Sequence, residues 1–353
     1  MTSSSAFRWL MTAPGAPLER SEFELPTPAS HEVIVRVVGC GLCHTDLGFL
    51  HGGVRTNHEL PITLGHEIAG TVETVGDDCA QWAGKDVVIP AVLPCGDCDL
   101  CNAGKETSCR NQQMPGNDFH GGFASHIVVP AQWLVDAGNL PDGIELADVS
   151  VLADAVTTPY QAMVRADVQP GDGVVLIGAG GIGSFGVQIA KAFGAKVVAI
   201  DIDDEKLARA AEYGADGTVN TRGLEIRDAR KAVKAACKEA GLPAFGTKVL
   251  EMSGTPQGQE LAWALMTFSG VVGIVGFCLN RVPVRLSNLM AFDATAFGNW
   301  GCRPQLYKPA LDLIREGKVQ VKPFVRRFPM AEINSVLDDA QAHKIPERPV
   351  LIP

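Results

Sequence analysis

Apolar positions change their rhythm partway along the chain. From Glu32 to about Val135, short β-like runs alternate with glycine and proline punctuation: VIVRVV, GTVETVG, KDVVIP, ASHIVVP. Such runs predict an antiparallel, barrel-like N-terminal domain. Near Asp148 the pattern shifts, and helix-compatible segments alternate with apolar strand runs: VVLIG, SFGVQIAKAFG, KVVAID, DEKLARAAEYG, TVN. That alternation predicts βαβ units and a parallel sheet, which apolar runs at Lys248–Met252 and Val271–Phe277 continue. From about Phe292 the rhythm fades. The tail, FPMAEINSVLDDAQAHKIPERPVLIP, reads as an amphipathic helix and a short strand that could return to the first domain. No internal repeat is visible, and the early TSSSA reads as a frayed terminus.

Composition narrows the class. A length of 353 residues makes two domains the default. Hydrophobic content of 46% and charged content of 20% exclude disordered and fibrous classes. The net charge of −10 argues against a nucleic-acid partner and against adsorption to an anionic membrane. A local basic pocket, and with it an anionic small-molecule substrate, stays compatible with that charge. No apolar run reaches the ~20 residues of a membrane span; the longest, Val174 to Ile200, is broken by glycines and by Lys191 and Lys196. The N-terminal segment lacks the sustained apolar core of a secretory signal, so a cytoplasmic protein is expected.

Ten cysteines then need a reason, because a reducing compartment disfavours disulfides and clustered cysteines there more often bind metal. Cys95, Cys98, Cys101 and Cys109 form C-x2-C-x2-C-x7-C in a glycine-punctuated loop. Four thiolates in tetrahedral array would hold Zn²⁺ with no open position, a structural site. A redox quartet or an iron–sulfur cluster can carry similar spacing. A second set is dispersed: Cys43-His-Thr45-Asp46 follows one strand, and His66-Glu67 follows the apolar ITL. A thiolate and an imidazole suit zinc, and a third ligand plus exchangeable water would complete a catalytic site. Neither fragment decides alone, since Cys43 also reads as a buried apolar residue and His66 as half of a core pair with Glu67. Cys40 and Cys43 spell a possible redox dithiol, but Cys40 ends its strand with no βαβ start around it.

The strand Val174–Ile177 runs into Gly178-Ala-Gly180-Gly181-Ile182-Gly183 and then a helical stretch. The first glycine permits a tight turn, the second lets the backbone approach a pyrophosphate, and the third lets helix and strand pack closely. Phosphate oxygens suit the free N–H groups at that helix start. Asp201, 18 residues after Gly183, ends the next strand. A carboxylate there accepts from the adenosine ribose and repels a 2′-phosphate, which favours NAD over NADP. Capping the following helix is its other reading. Lys206 either reaches the ribose or is an exposed helix lysine.

Taken together, GCGLCHTD, LGHEIAGTV, the four-cysteine lobe, GGFASHIVVP, GAGGIG and AIDIDDEKL resemble the zinc-containing medium-chain dehydrogenase/reductase family along nearly the whole chain. The resemblance implies an α/β protein: a Rossmann doubly wound parallel sheet binding NAD over 153–296, and a mostly antiparallel, β-barrel-like (GroES-like) catalytic domain from 1–152 and 297–353. It implies one catalytic and one structural zinc per subunit, with Cys43 and His66 as catalytic ligands. Glu67 is then a nearby carboxylate able to bind the metal transiently, and Asp46 orients His66. Many relatives supply the third ligand as a cysteine just before the cofactor domain. Here Asp154, in VLADAVTTPY, occupies that place, as in secondary-alcohol dehydrogenases of the superfamily. A carboxylate oxygen is a sound zinc ligand, although Asp154 also reads as a helix cap.

The implied reaction moves a hydride between a secondary alcohol or ketone and nicotinamide, with zinc as the Lewis acid. Thr45 takes the alcohol proton. The usual relay histidine is absent, because Gly48 stands five residues after Cys43; His51 or solvent completes the path. Thr158 and Val275 pack at the nicotinamide by the same likeness, and core packing explains Val275 equally well.

A closer likeness appears in GVRTNHELP, QMPGNDFHGGFASHIVVPA, VLADAVTTPYQA, RLSNLMAF and FGNWGC. These segments are similar to the 6-hydroxycyclohex-1-ene-1-carbonyl-CoA dehydrogenases of anaerobic benzoyl-CoA degradation. That likeness implies an alicyclic acyl-CoA substrate oxidised to its 6-oxo thioester. Arg55, Arg281, Arg285 and Arg303 are candidates for the CoA phosphates, and each also reads as an ordinary surface arginine. Bacterial relatives imply a homo-oligomer, dimer or tetramer. Three other readings stay open: a zinc hydratase or lyase acting on an enoyl- or dienoyl-CoA, a dehydrogenase of simple secondary alcohols, and a non-catalytic dinucleotide-binding protein.

Overall fold

The computed structural model describes residues 6–353. Of the TSSSA stretch read as a frayed terminus, all but Ala6 lies outside the described residues. Two compact units emerge. The first runs through Asp154 and resumes with Gly301–Arg315 and Val321–Pro353; the second comprises Ala155–Trp300 and Glu316–Gln320.

In chain order the first unit begins with β1 (Ala6–Leu10), β2 (Glu19–Phe23), β3 (Glu32–Gly41), β4 (Glu67–Val75), β5 (Asp86–Ile89), β6 (His126–Pro130) and β7 (Val135–Asp136). The second unit carries β8 (Gly173–Ile177), β9 (Lys196–Asp201), β10 (Gly217–Asn220), β11 (Lys248–Glu251), β12 (Val271–Ile274) and β13 (Thr295–Gly298). The first unit closes with β14 (Val325–Pro329) and β15 (Arg348–Ile352).

In the first unit the main sheet runs β14-β15-β3-β4-β5-β7, with β6 also paired to β3. The pairings of β3 with β4, β6 and β15 are all antiparallel, and only β14 lies parallel to its neighbour. Two register shifts along β3 and β4, at Ile34/Val35 and Val37/Gly39, mark bulges that bend the pair. Their inward side chains join Ile89, Phe123, Val129 and Leu351 in one buried core. The terminal strand does return to this unit, pairing Val350 with Gly41 and Leu351 with Cys40. The site residues follow from this arrangement: Cys43 sits just past the end of β3, and His66 immediately precedes β4, whose Glu67 is opposite Gly41.

In the second unit six parallel strands take the order β10-β9-β8-β11-β12-β13. The chain leaves β8 toward β9 on one side and returns to β11 on the other. Strand order therefore reverses at the carboxyl end of β8, where doubly wound sheets bind their ligands. One expectation needs correcting. The βαβ rhythm does not end near Phe292, because Thr-Ala-Phe-Gly at 295–298 forms the sixth strand and carries the second unit on to Trp300. That strand is short and exposed along most of its length, so no apolar run announced it. Among the described residues no helix is long and apolar enough to cross a membrane.

Candidate metal centres and dinucleotide loop

Asp46 assembles the dispersed set. Its Oδ2 accepts from Cys43 N at 2.9 Å, which caps the helix His44–Leu50, and its Oδ1 accepts from Gly65 N at 3.0 Å. The same Oδ1 lies 3.4 Å from His66 Nδ1, so the far ring nitrogen is aimed away. That nitrogen, Nε2, stands 3.7 Å from Asp154 Oδ2, and Asp154 Oδ2 stands 3.6 Å from Cys43 Sγ. Donors about 2.0–2.3 Å from a tetrahedral zinc are about 3.3–3.8 Å from each other, so the three fit that ion. With Glu67, all the candidate ligand atoms lie within 4.8 Å of one another.

The electrostatics agree. Burial disfavours a charge on His66, yet Asp46 and Asp154 outweigh it and hold the imidazole well above its usual pKa. A pocket that draws a proton in this way suits a cation. Asp154 itself follows the 3₁₀ segment Leu146–Ala153, and the cap of the next helix, Thr157–Arg165, is Val156. Asp154 is therefore not the N-cap of that helix; it closes the preceding 3₁₀ segment at its C-terminal end. Cys40 stays apart, with its Sγ against the backbones of Gly65 and Gly122, so it forms no dithiol with Cys43.

Around this set, the exposed Thr45 hydroxyl lies 3.7 Å from Cys43 Sγ. His51 is exposed just past the end of the same helix. Glu67 is fully buried, and burial raises its carboxyl above the usual range against the opposing charge of Arg348. Arg348 Nη1 lies 3.5 Å from Glu67 Oε1 and donates to Leu42 O at 3.1 Å. Sequence reading missed this arginine, because a single basic residue near the chain end carries no motif.

The four-cysteine lobe closes on itself. Sγ separations are 3.4 Å for Cys95–Cys109, 3.5 Å for Cys98–Cys101, 3.8 Å for Cys98–Cys109 and 3.9 Å for Cys95–Cys101. Thiolates about 2.3 Å from a tetrahedral zinc have edges of about 3.8 Å, so the donor set fits a closed structural site.

In the second unit, Gly178 (φ +93°) has no room for a side chain: a Cβ would come within 2.7 Å of Ser253 N. A Cβ on Gly183 would strike Gly178 O at 1.7 Å, which confines that position to glycine. Gly180 is different, with nothing within 4 Å of its Cβ position. The backbone is thus tight where it must turn and open where a pyrophosphate would approach, with Gly181 exposed and Ile182 at the cap of the helix Gly183–Ala192. Asp201 is engaged by the loop itself: Oδ2 accepts from Ala179 N at 2.7 Å, and Oδ1 accepts from Ile202 N at 2.7 Å and Asp203 N at 3.1 Å. The cap of the next helix is Asp203, not Asp201. Lys206 is half-buried on that helix, Thr158 is buried near the start of the helix Thr157–Arg165, and Val275 N donates to Glu251 O at 2.9 Å.

Comparisons with known proteins agree with both halves. Residues 29–142 match the family model described as alcohol dehydrogenase GroES-like domain, and residues 181–316 match zinc-binding dehydrogenase. An alcohol dehydrogenase of Geobacillus stearothermophilus is 35% identical over 95% of this chain and 96% of its own. An NAD-dependent alcohol dehydrogenase of Sulfurisphaera tokodaii is 29% identical over 96% of this chain and 97% of its own. The cobalt- and zinc-bound thermostable alcohol dehydrogenase of Pyrobaculum aerophilum superposes with a TM-score of 0.85 at 25% identity, covering 99% of this chain and all of that one. The chain belongs to the zinc-dependent medium-chain alcohol dehydrogenase family. It is an oxidoreductase of that class, with zinc and NAD as its cofactors.

Proposed function

We propose that this enzyme oxidises a secondary alcohol to a ketone on the Cys43–His66–Asp154 centre, and that the alcohol is an alicyclic acyl-CoA, 6-hydroxycyclohex-1-ene-1-carbonyl-CoA. The observation that carries the first half is the single Asp154 oxygen held against both Cys43 Sγ and His66 Nε2. When bound, zinc supplies a Lewis acid that makes an alcohol more acidic, and NAD supplies the hydride acceptor. Thr45, exposed next to Cys43, takes the hydroxyl proton, and His51 at the helix end passes it to water. Asp46 Oδ1, 3.4 Å from His66 Nδ1, orients the ring so that Nε2 faces Asp154 and can ligate. Glu67, tethered by Arg348, serves as the auxiliary carboxylate. The Cys95, Cys98, Cys101 and Cys109 lobe holds its zinc for structure alone.

The thioester half rests on the loop likeness in GVRTNHELP, VLADAVTTPYQA and RLSNLMAF. Arg281 and Arg285 stand exposed in the same segment as exposed Leu279 and Leu286, a mixture of charge and apolar surface that suits a nucleotide-bearing thioester. A panel of alicyclic hydroxyacyl-CoA thioesters against simple secondary alcohols, followed by NADH absorbance, tests it. Free alcohols oxidised as fast or faster would retire the thioester, and water incorporation without net NADH would make the enzyme a hydratase.

The reduced thiolates of the lobe fit a cytoplasmic setting. We place a second copy of the chain against β13, an edge strand whose Thr295 and Ala296 are exposed. An unpaired edge offers backbone donors and acceptors that a two-fold copy of the same strand can complete in a closed dimer. Light scattering that gives a monomer mass would remove this assignment.

A further inference from the structure

Glu251 ends β11, next to β8 in the middle of the second unit's sheet, and is fully buried. Its Oε1 accepts from Ser253 N at 2.7 Å, from Gly254 N at 3.0 Å, and from the Ser253 hydroxyl. Its main-chain oxygen accepts from Val275 N at 2.9 Å and Gly276 N at 3.0 Å. One residue thus gathers the loop after β11 and the turn after β12.

The loop after β11 is fitted to the glycine loop after β8, and the turn after β12 is fitted in its turn to the loop after β11. Ser253 lies where a Cβ on Gly178 would fall. Gly276 and Gly254 are back to back, since a Cβ on Gly276 would lie 2.2 Å from Gly254 N and 2.9 Å from Glu251 Oε2. Among the described residues, Oε2 has no hydrogen-bond partner. Burial raises this carboxyl's pKa against the pull of the Ser253 and Gly254 donors.

We propose that Glu251 is a positioning residue for the dinucleotide, gathering the loops after β8, β11 and β12 into the surface on which NAD lies. It touches neither zinc nor the reacting atoms, so it acts on cofactor affinity rather than on the chemical step. The inference rests on the reading of Gly178–Gly183 as the NAD loop.

The test compares Glu251→Gln, Glu251→Asp and Glu251→Ala for NADH binding, by fluorescence titration of zinc-loaded protein, and for KM of NAD against kcat. Amide hydrogen exchange is followed on the NADH-free proteins. The glutamine variant keeps an acceptor oxygen at the same reach and should bind NADH within about threefold of the parent. The aspartate variant, one methylene short, and the alanine variant should bind at least about tenfold more weakly, with kcat at saturating NAD within about threefold. In those two, exchange should quicken at Ser253, Gly254, Val275 and Gly276 while the β3–β4 amides keep their protection. Equal NADH affinity in all variants, or equal losses in Gln and Ala, would overturn the proposal. If the alanine variant does not fold, the contrast between Gln and Asp decides in the same way. Failure of the parent itself to bind NADH would instead overturn the cofactor reading.

Discussion

Arg348 holds Glu67 inside the first unit: its Nη1 lies 3.5 Å from the Glu67 carboxylate, and both side chains are buried. Two opposite charges sealed from water depend on each other, since removing one leaves the other uncompensated. Arg348→Met should therefore destabilise the protein by about 3–5 kcal/mol, read as a lower urea midpoint in both zinc-loaded and chelator-treated protein. Adding Glu67→Gln should recover most of that loss. An unchanged midpoint in the single variant would mean that the pair contributes nothing.

The metal assignment predicts a selective loss. Cys43→Ser or His66→Ala should abolish turnover and remove the zinc of one candidate centre, leaving the ion of the four-cysteine lobe in place. Metal analysis of the purified variants checks this. Near-normal activity with one zinc missing would refute the catalytic role.

Asp46 would act on a zinc at this centre through His66 and the backbone of Cys43 and Gly65. Asp46→Asn keeps the size but weakens the pull on Nδ1–H, and partners of this kind typically alter zinc affinity or activity about 10–100-fold. Competition with a chromogenic chelator measures the affinity directly. An Asn variant that holds zinc as tightly and turns over as fast would show that the orientation comes from packing alone.

Asp201 is predicted to decide the cofactor. Its carboxylate is fixed by three backbone N–H groups at the lip of the glycine loop, which places a fixed negative charge there. Asp201→Ser should lower kcat/KM for NAD about tenfold or more while improving NADP, narrowing the preference. Steady-state kinetics with both cofactors give the ratio, and an unaltered ratio would assign discrimination elsewhere.

Asp203 caps the helix Asp204–Glu212, accepting from Glu205 N and Lys206 N. Asp203→Ala should cost about 1 kcal/mol of stability. The Lys206 N–H bond is the largest cause holding its carboxyl below the ordinary value; burial opposes it, and Glu205 N, Lys206 and Arg222 add to the lowering. A carboxyl depressed by folding stabilises the protein above its unfolded pKa of about 4 and loses that contribution as pH falls through the lower folded value. The stability gap between parent and variant should hold at pH 7 and shrink below pH 4 in urea titrations. A gap independent of pH would assign the cap to geometry alone.

Legibility in the sequence followed distance along the chain. The cysteine lobe was readable because its four ligands fall in one loop, where spacing is itself a geometric statement. The glycine loop was readable because steric demands act on neighbouring residues, as with Gly183 against Gly178 O. Cys43, His66 and Asp154 lie on separate segments, so only resemblance could join them, and the structure brings their donor atoms together. Asp201 as a cap and Asp154 as a cap were undecidable locally; the answers, Asp203 and Val156, depended on where each helix begins. Arg348 and β13 left no trace because neither repeats, clusters nor alternates. A lone arginine and a four-residue exposed strand acquire meaning only from their neighbours in space.

The pairing of β15 with β3 has a consequence for how the protein is made. A ribosome emits β3, β4 and Glu67 early, and the whole second unit must emerge before Arg348 does. Until then the nascent first unit carries an acidic group awaiting its counter-charge and a sheet edge awaiting its last strand. The first unit is therefore completed only after the second has been translated, and the second is free to fold first.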